Sequence, residues 1–136
     1  MDVSCYPGLE LTRNGRILTV ALDRPEQLNA ADEGMHSSIA RVFNDCADDP
    51  ATDVVILTGS GKAFSAGGDY SAMQLSIDQP GRFDRLAVEA KRIVFSMLDC
   101  PKPIIAKVNG HAVGFGATLA LCSDIVFAAN HARIGD

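Results

Sequence analysis

Asp53-Val-Val-Ile-Leu-Thr58, the turn Ala66-Gly67-Gly68-Asp69 and Tyr70-Ser-Ala-Met-Gln-Leu75 form the stretch that decides the fold: a β-branched run of strand length, a glycine turn, and a segment that can turn helical. The same order returns downstream. Pro103-Ile-Ile-Ala-Lys-Val108 reads as a strand, Asn109-Gly-His-Ala-Val-Gly-Phe-Gly116 as a turn, and Ala117-Thr-Leu-Ala-Leu-Cys122 as a helix. A turn between strand and helix can aim exposed backbone N–H groups at one ligand atom. Glycine at 67 and 68 permits φ of either sign and lets a ligand approach closely. The helix start after the second turn carries partial positive charge, which suits a developing oxyanion better than a cation. Together the two turns read as an oxyanion hole.

Outward from these turns the alternation continues. Leu9–Arg13 and Ile17–Leu22 read as strands around Asn14-Gly15, a strong hairpin signal, with Arg24-Pro25 ending the second. Asp32 can cap a helix running to about Asp48, with Met35, Ile39, Val42, Phe43 and Cys46 on one face and Pro50 beyond its end. Ser76–Gly81 reads as a polar, mobile connection. A helix follows from Arg82 to Leu98, its inner stripe Phe83, Leu86, Ala90, Ile93, Val94 and Met97, stopped by Cys100-Pro-Lys-Pro103. A strand at 104–108, a helix at 115–122 and a strand at 124–128 complete an α/β alternation. Periodicity leaves a doubly wound sheet open as one form of it.

The 136 residues suffice for one domain with a sizeable core, and 47% hydrophobic against 21% charged residues describes a globular chain. No apolar stretch is long enough to cross a bilayer, and no basic region followed by an apolar core opens the sequence, so a soluble cytoplasmic protein is expected. The net charge of −5 and scattered basic residues argue against nucleic acid, although Arg24, Lys62 and Arg82 can still meet a phosphorylated small molecule. Cys5, Cys46, Cys100 and Cys122 lie far apart and form no metal pattern; they read as reduced thiols, with Cys46 and Cys122 packing as small apolar residues.

Two other glycine patterns fail. Gly59-Ser-Gly-Lys62 lacks the glycine at 56 and the Ser or Thr at 63 of a phosphate loop, since Ile56 and Ala63 stand there. Gly114-Phe-Gly116 lacks the third glycine of a dinucleotide fingerprint, since Leu119 stands there. His36, on the expected helix exterior, His111 and His131 have no neighbouring Cys, Ser or carboxylate at informative spacing and read as structural or exposed.

Leu22-Asp-Arg-Pro-Glu-Gln-Leu-Asn-Ala30, Leu57-Thr-Gly59 through Phe64-Ser-Ala-Gly-Gly-Asp69, and Lys102-Pro-Ile-Ile-Ala-Lys-Val-Asn-Gly110 through Ser123-Asp-Ile-Val-Phe-Ala128 resemble, in order and spacing, the motifs of the crotonase family, also called the enoyl-CoA hydratase/isomerase family. The resemblance spans nearly all of the chain. It implies a spiral of repeated β-β-α units over residues 1–136, an acyl-CoA-binding core. Family members continue beyond the point matching Ala132-Arg-Ile-Gly-Asp136, so the resemblance implies an amino-terminal half from which a carboxy-terminal helical part is missing.

By the same resemblance, the oxyanion N–H groups fall on Gly68 and Phe115, and coenzyme A runs along Ala66, Gly68, Asp69 and Tyr70 with Gln27 and Leu28 nearby. Asp69 reads as a helix N-cap ahead of a ligand contact. The family's first acid/base glutamate falls on Thr118, which cannot exchange a proton near neutral pH, and its second falls beyond Asp136. Asp136 is either an exposed loop acid or the single carboxylate that an isomerase of this family needs. The implied activity is enoyl-CoA hydratase/isomerase chemistry in fatty acid metabolism, as lyase or isomerase, with the acyl-CoA thioester as substrate, no metal, no further cofactor, and a homotrimer or dimer of trimers as the assembly. The alternatives are a homologue that binds acyl-CoA without hydratase activity, or an isomerase or hydrolase of the same family; a scaffold protein would leave the paired turns without purpose.

Overall fold

The computed structural model describes residues 5–136, Pro80 by its backbone alone; residues 1–4, the start of the segment read for a targeting leader, lie outside the described residues. Strands β1 (Leu9–Asn14) and β2 (Ile17–Leu22) form an antiparallel hairpin. Asn14 pairs with Ile17, so the two-residue loop is Gly15-Arg16, and Gly15 takes φ +56°. Glycine at the first loop position is what a type II′ turn demands.

From β2 onward every neighbour is parallel. The main sheet runs β1-β2-β3-β4-β6, with β3 at Val54–Gly59, β4 at Ile104–Val108 and β6 at Ile125–Ala128. After each of these strands the chain enters a second, shorter segment that pairs outside the large sheet; after β2 this is a left-handed turn at Leu28 and Asn29 that leads to a bridge at Ala31. Residues 28–31 follow β2 and residues 65–69 follow β3; β5 (Ala112–Val113) follows β4 and β7 (Ile134–Gly135) follows β6. These segments bond to one another in that order. Ala66 N donates to Leu28 O and Ala31 N to Gly67 O, Val113 N to Ser65 O, and Gly114 N to Gly135 O. A strand in the large sheet, a strand in the small ladder and then a helix is one turn of a β-β-α spiral. That geometry, rather than a doubly wound sheet, is the α/β fold here.

The helices are α1 (Glu33–Asp48), α2 (Tyr70–Asp78), α3 (Pro80–Leu98) and α4 (Phe115–Leu121). Asp32 caps α1 by accepting Met35 N at 2.8 Å. Met35, Ile39, Val42, Phe43 and Cys46 are buried against Leu18, Val20 and Leu22 of β2, Val55 and Leu57 of β3, and Ile104 and Ala106 of β4. The two-residue alternation along those strands buries one face of the sheet. Cys46 joins the core with its thiol pushed up to about 12 by burial and by Cys100, so it packs as a neutral apolar group. Cys46, Cys100 and Cys122 are free thiols.

Two expectations need correction. Ser76–Gly81 is not an irregular connection: Ser76–Asp78 finish α2, Gln79 alone separates the helices, and Pro80 starts α3, where proline costs no hydrogen bond. The stripe along α3 is buried only in its second half. Ile93 and Met97 enter the core, whereas Phe83 is 63% exposed and Leu86 half-buried, because the first half of α3 faces an open cavity instead of the sheet. No helix among the described residues is long and apolar enough to cross a membrane.

Candidate active site

The two glycine turns meet because of what glycine leaves out. Gly67 takes φ +96°, and a Cβ there would stand 2.9 Å from Val113 O and 3.7 Å from Phe115 N, so the first turn lies directly against the second. Gly116 is pressed on Ser65 in the same way, with a Cβ placed 2.7 Å from that of Ser65. Gly68 differs from the expectation of free φ at both glycines: only Gly67 adopts the left-handed region, and a Cβ on Gly68 would make ordinary contact with Met73.

In each turn the N–H of the expected donor, Gly68 or Phe115, has no acceptor among the described residues. The carbonyl of the Gly67–Gly68 peptide accepts Ala31 N at 2.8 Å, and a planar trans peptide then turns the Gly68 N–H the opposite way. The carbonyl of the Gly114–Phe115 peptide accepts Thr118 N at 3.0 Å inside the first turn of α4, which turns the Phe115 N–H out of the helix start. Gly68 and Phe115 both line one open cavity of about 790 Å³, walled otherwise by α2, α3 and the start of α1. Its surface is mainly apolar, with Ala72, Met73 and Ile77 on one side and Phe83, Leu86 and Ala90 on the other. N–H donors beside an apolar cavity can hold a carbonyl oxygen whose substituent fills the cavity.

Asp69 also lines the cavity, and it caps α2 by accepting Ser71 N at 3.0 Å and Ala72 N at 3.3 Å. Burial pushes its carboxyl up, but hydrogen bonds from Arg24 and from the backbone of Ala72 and Ser71 outweigh that and leave it below the usual carboxylate range. Arg24 is committed to Asp69, to Asp32 and to Ala30 O, and Arg82 to Glu33, so neither is a spare cation for a phosphate; Lys62 is exposed and has no ion-pair partner among the described residues.

Other expected site residues stand outside the cavity wall. Leu28 and Ala66 are exposed neighbours joined by the Ala66 N to Leu28 O bond of 2.9 Å; Gln27 and Tyr70 are exposed as well. Thr118 is exposed on α4, its hydroxyl donating only to Gly114 O at a long 3.4 Å. Asp136 stands at the second turn, where a Cβ on Gly114 would be 3.8 Å from its Oδ1.

Three residues the sequence left without a role organise the site. Asn29, fully buried at φ +56°, donates to Ser60 O and Ala63 O and accepts Arg24 N, all at 2.9 Å. Asn109 donates to Gly61 O and Ala63 O and accepts Gly59 N, so the two amides clamp the loop leading from β3 to the first turn. His36 is not on the helix exterior. It lines the cavity, its Nδ1 lies 2.9 Å from Glu89 Oε2, and its ring centroid is 5.2 Å from that of Phe115. The spacing of His36, Ile39 and Phe43 puts it at the edge of the buried stripe, a signal present in the sequence; its partner Glu89 comes from a separate helix and left none.

The comparisons agree with this architecture. The family model for enoyl-CoA hydratase/isomerase matches residues 12–136. The 1,2-epoxyphenylacetyl-CoA isomerase of Escherichia coli is 37% identical over 121 residues, which are 86% of this chain and 45% of that protein. The crotonyl-CoA hydratase of Syntrophomonas wolfei is 36% identical over 132 residues, 96% of this chain and 50% of that protein. An enoyl-CoA hydratase/isomerase from Mycobacterium paratuberculosis has a similar solved structure, with a TM-score of 0.90, 34% identity, and coverage of 92% of this chain and 50% of that one. The chain spans about half the length of the curated relatives it matches.

Proposed function

The chain belongs to the enoyl-CoA hydratase/isomerase family, and from that membership we propose that it holds an acyl-CoA thioester with the carbonyl oxygen between the N–H groups of Gly68 and Phe115. The observation that carries the proposal is the pair of unaccepted N–H groups on two abutting turns, each peptide having its carbonyl bonded elsewhere. Charge moves onto the thioester oxygen as an enolate forms, and donors already in position stabilise that charge without reorganising. The acyl group enters the cavity between α2 and α3. Coenzyme A lies along the exposed strip of Gln27, Leu28, Ala66, Asp69 and Tyr70, and the working assembly is a homotrimer or dimer of trimers. The thioester is the substrate, and no further cofactor takes part.

Thr118 is no proton carrier, so two-glutamate hydration is not the favoured chemistry. The carboxylate beside the second turn, Asp136, supports a one-base proton shuttle between carbons, which is isomerase chemistry. The second reading is an acyl-CoA-binding protein without strong turnover, favoured by the Thr118 hydroxyl having only a backbone carbonyl for company.

Assays of crotonyl-CoA and longer enoyl-CoAs with the full-length protein test these readings. Gly68→Pro deletes one donor and is expected to lower turnover by about 100-fold or more, since one lost donor costs about 3 to 4 kcal/mol. Phe115→Pro tests the other donor at a helix position that tolerates proline. Activity within about threefold of the parent in either folded variant sinks the oxyanion assignment. Tight binding with no turnover on any thioester selects the second reading.

A further inference from the structure

The cavity holds one polar assembly that the proposed chemistry does not use. His36 Nδ1 lies 2.9 Å from Glu89 Oε2, and Ser37 Oγ donates to Glu89 Oε1 at 2.9 Å, so the carboxylate is gripped from two residues of α1 and in turn orients the imidazole. The His36 side chain is only 12% exposed and lies against the Phe115 ring, which limits its rotation. With Nδ1 engaged, Nε2 has no partner among the described residues, while His36 forms part of the cavity wall.

A ring nitrogen held in place at an apolar wall is costly to cover with an apolar ligand, because it loses water and gains no hydrogen bond. A ligand that supplies the bond avoids that cost, and sites of this kind reject analogues lacking the group. Resting on the acyl-CoA reading above, we infer that His36 determines specificity by selecting acyl groups that carry a hydroxyl beyond carbon 3 over unsubstituted acyl groups of equal length. A hydroxyl suits the site in both protonation states of the imidazole. It donates to Nε2 when the Nδ1 proton faces Glu89, and accepts from Nε2–H when the ring is charged. Glu89 is a positioning residue that acts through His36.

The test is isothermal titration of the full-length protein with hexanoyl-CoA and with hydroxyhexanoyl-CoAs bearing the hydroxyl at each position from carbon 4 to carbon 6. The parent is expected to bind at least one hydroxylated thioester about tenfold more tightly than hexanoyl-CoA. His36→Phe keeps an aromatic ring against Phe115 and removes both nitrogens, and it is expected to bring the two ligands within about threefold of each other. Glu89→Ala, at a partly exposed position, is expected to weaken the preference by freeing the imidazole. Equal binding of hydroxylated and plain thioesters by the parent overturns the inference and leaves the acyl-CoA reading standing, as does a preference that survives in His36→Phe. Failure of the parent to bind any of these thioesters overturns the acyl-CoA reading, and this inference with it.

Discussion

Asn29 shows how much one buried amide can hold. Its side chain joins the carbonyls of Ser60 and Ala63 to the backbone at Arg24, and its own φ of +56° is one that asparagine tolerates better than most residues. Asn29→Ala takes the donor from Ser60 O, leaves Ala63 O with Asn109 alone and keeps an unfavourable φ, so a loss of roughly 2 kcal/mol or more is expected in urea unfolding. A loss under about 1 kcal/mol would mean that water replaces the amide. Thr118 makes the opposite case, an exposed side chain with a weak partner. Thr118→Glu is expected to raise hydratase turnover by more than Thr118→Val lowers it, because only glutamate adds an acid/base group at that place. A large loss with valine, or no gain with glutamate, would show that the hydroxyl matters or that no water is held there. At this scale the glycine turns were legible, since strand, glycine and helix follow one another along the chain. The roles of Asn29 and His36 were not, because Asn29 bonds to residues more than 30 positions away and His36 is defined by Glu89, 53 positions on.

At the scale of elements, the end of α1 is tied to the hairpin through Asp49. Its carboxylate accepts the Thr52 hydroxyl at 2.6 Å and Arg13 Nη2 at 2.6 Å. The Thr52 bond above all, with Arg13 and the Ala51 N–H, holds its pKa down from 3.8 to about 2 against the opposing effect of burial. The folded value lies below the unfolded one, so the native state binds fewer protons in that range. The stabilisation is present above about pH 4 and is lost as pH falls towards about 2. Urea midpoints of the full-length protein are therefore expected to fall from pH 4 to pH 2, and more steeply in the parent than in Asp49→Asn. Parallel declines would remove Asp49 from the account. The helices themselves were legible from period and caps, as Asp32 and α1 show. The first half of α3 was misjudged because an apolar stripe looks the same whether it faces a core or a ligand cavity.

At the scale of the whole molecule, one edge stands open. All of β6 is exposed, with Ile125, Val126 and Phe127 uncovered beside Leu121 at the end of α4, and Phe95 and Leu98 of α3 are exposed as well. Apolar edge strands of this kind drive association. Residues 1–136 on their own are expected to elute as a broad or high-mass species in size-exclusion chromatography. A sharp monomer peak with cooperative thermal unfolding would show that the open edge is tolerated.

By itself the sequence determined the order of strands, turns and helices, the glycine turns and the family motifs, because periodicity, caps and turn residues act between near neighbours in the chain. Tertiary structure alone decided that the small ladder of 28–31, 65–69, β5 and β7 brings the two turns together. It also decided that the first half of α3 walls a cavity and that His36 meets Glu89 there. Those outcomes depend on which distant backbone groups pair and which faces pack, and local residue preferences carry no record of either.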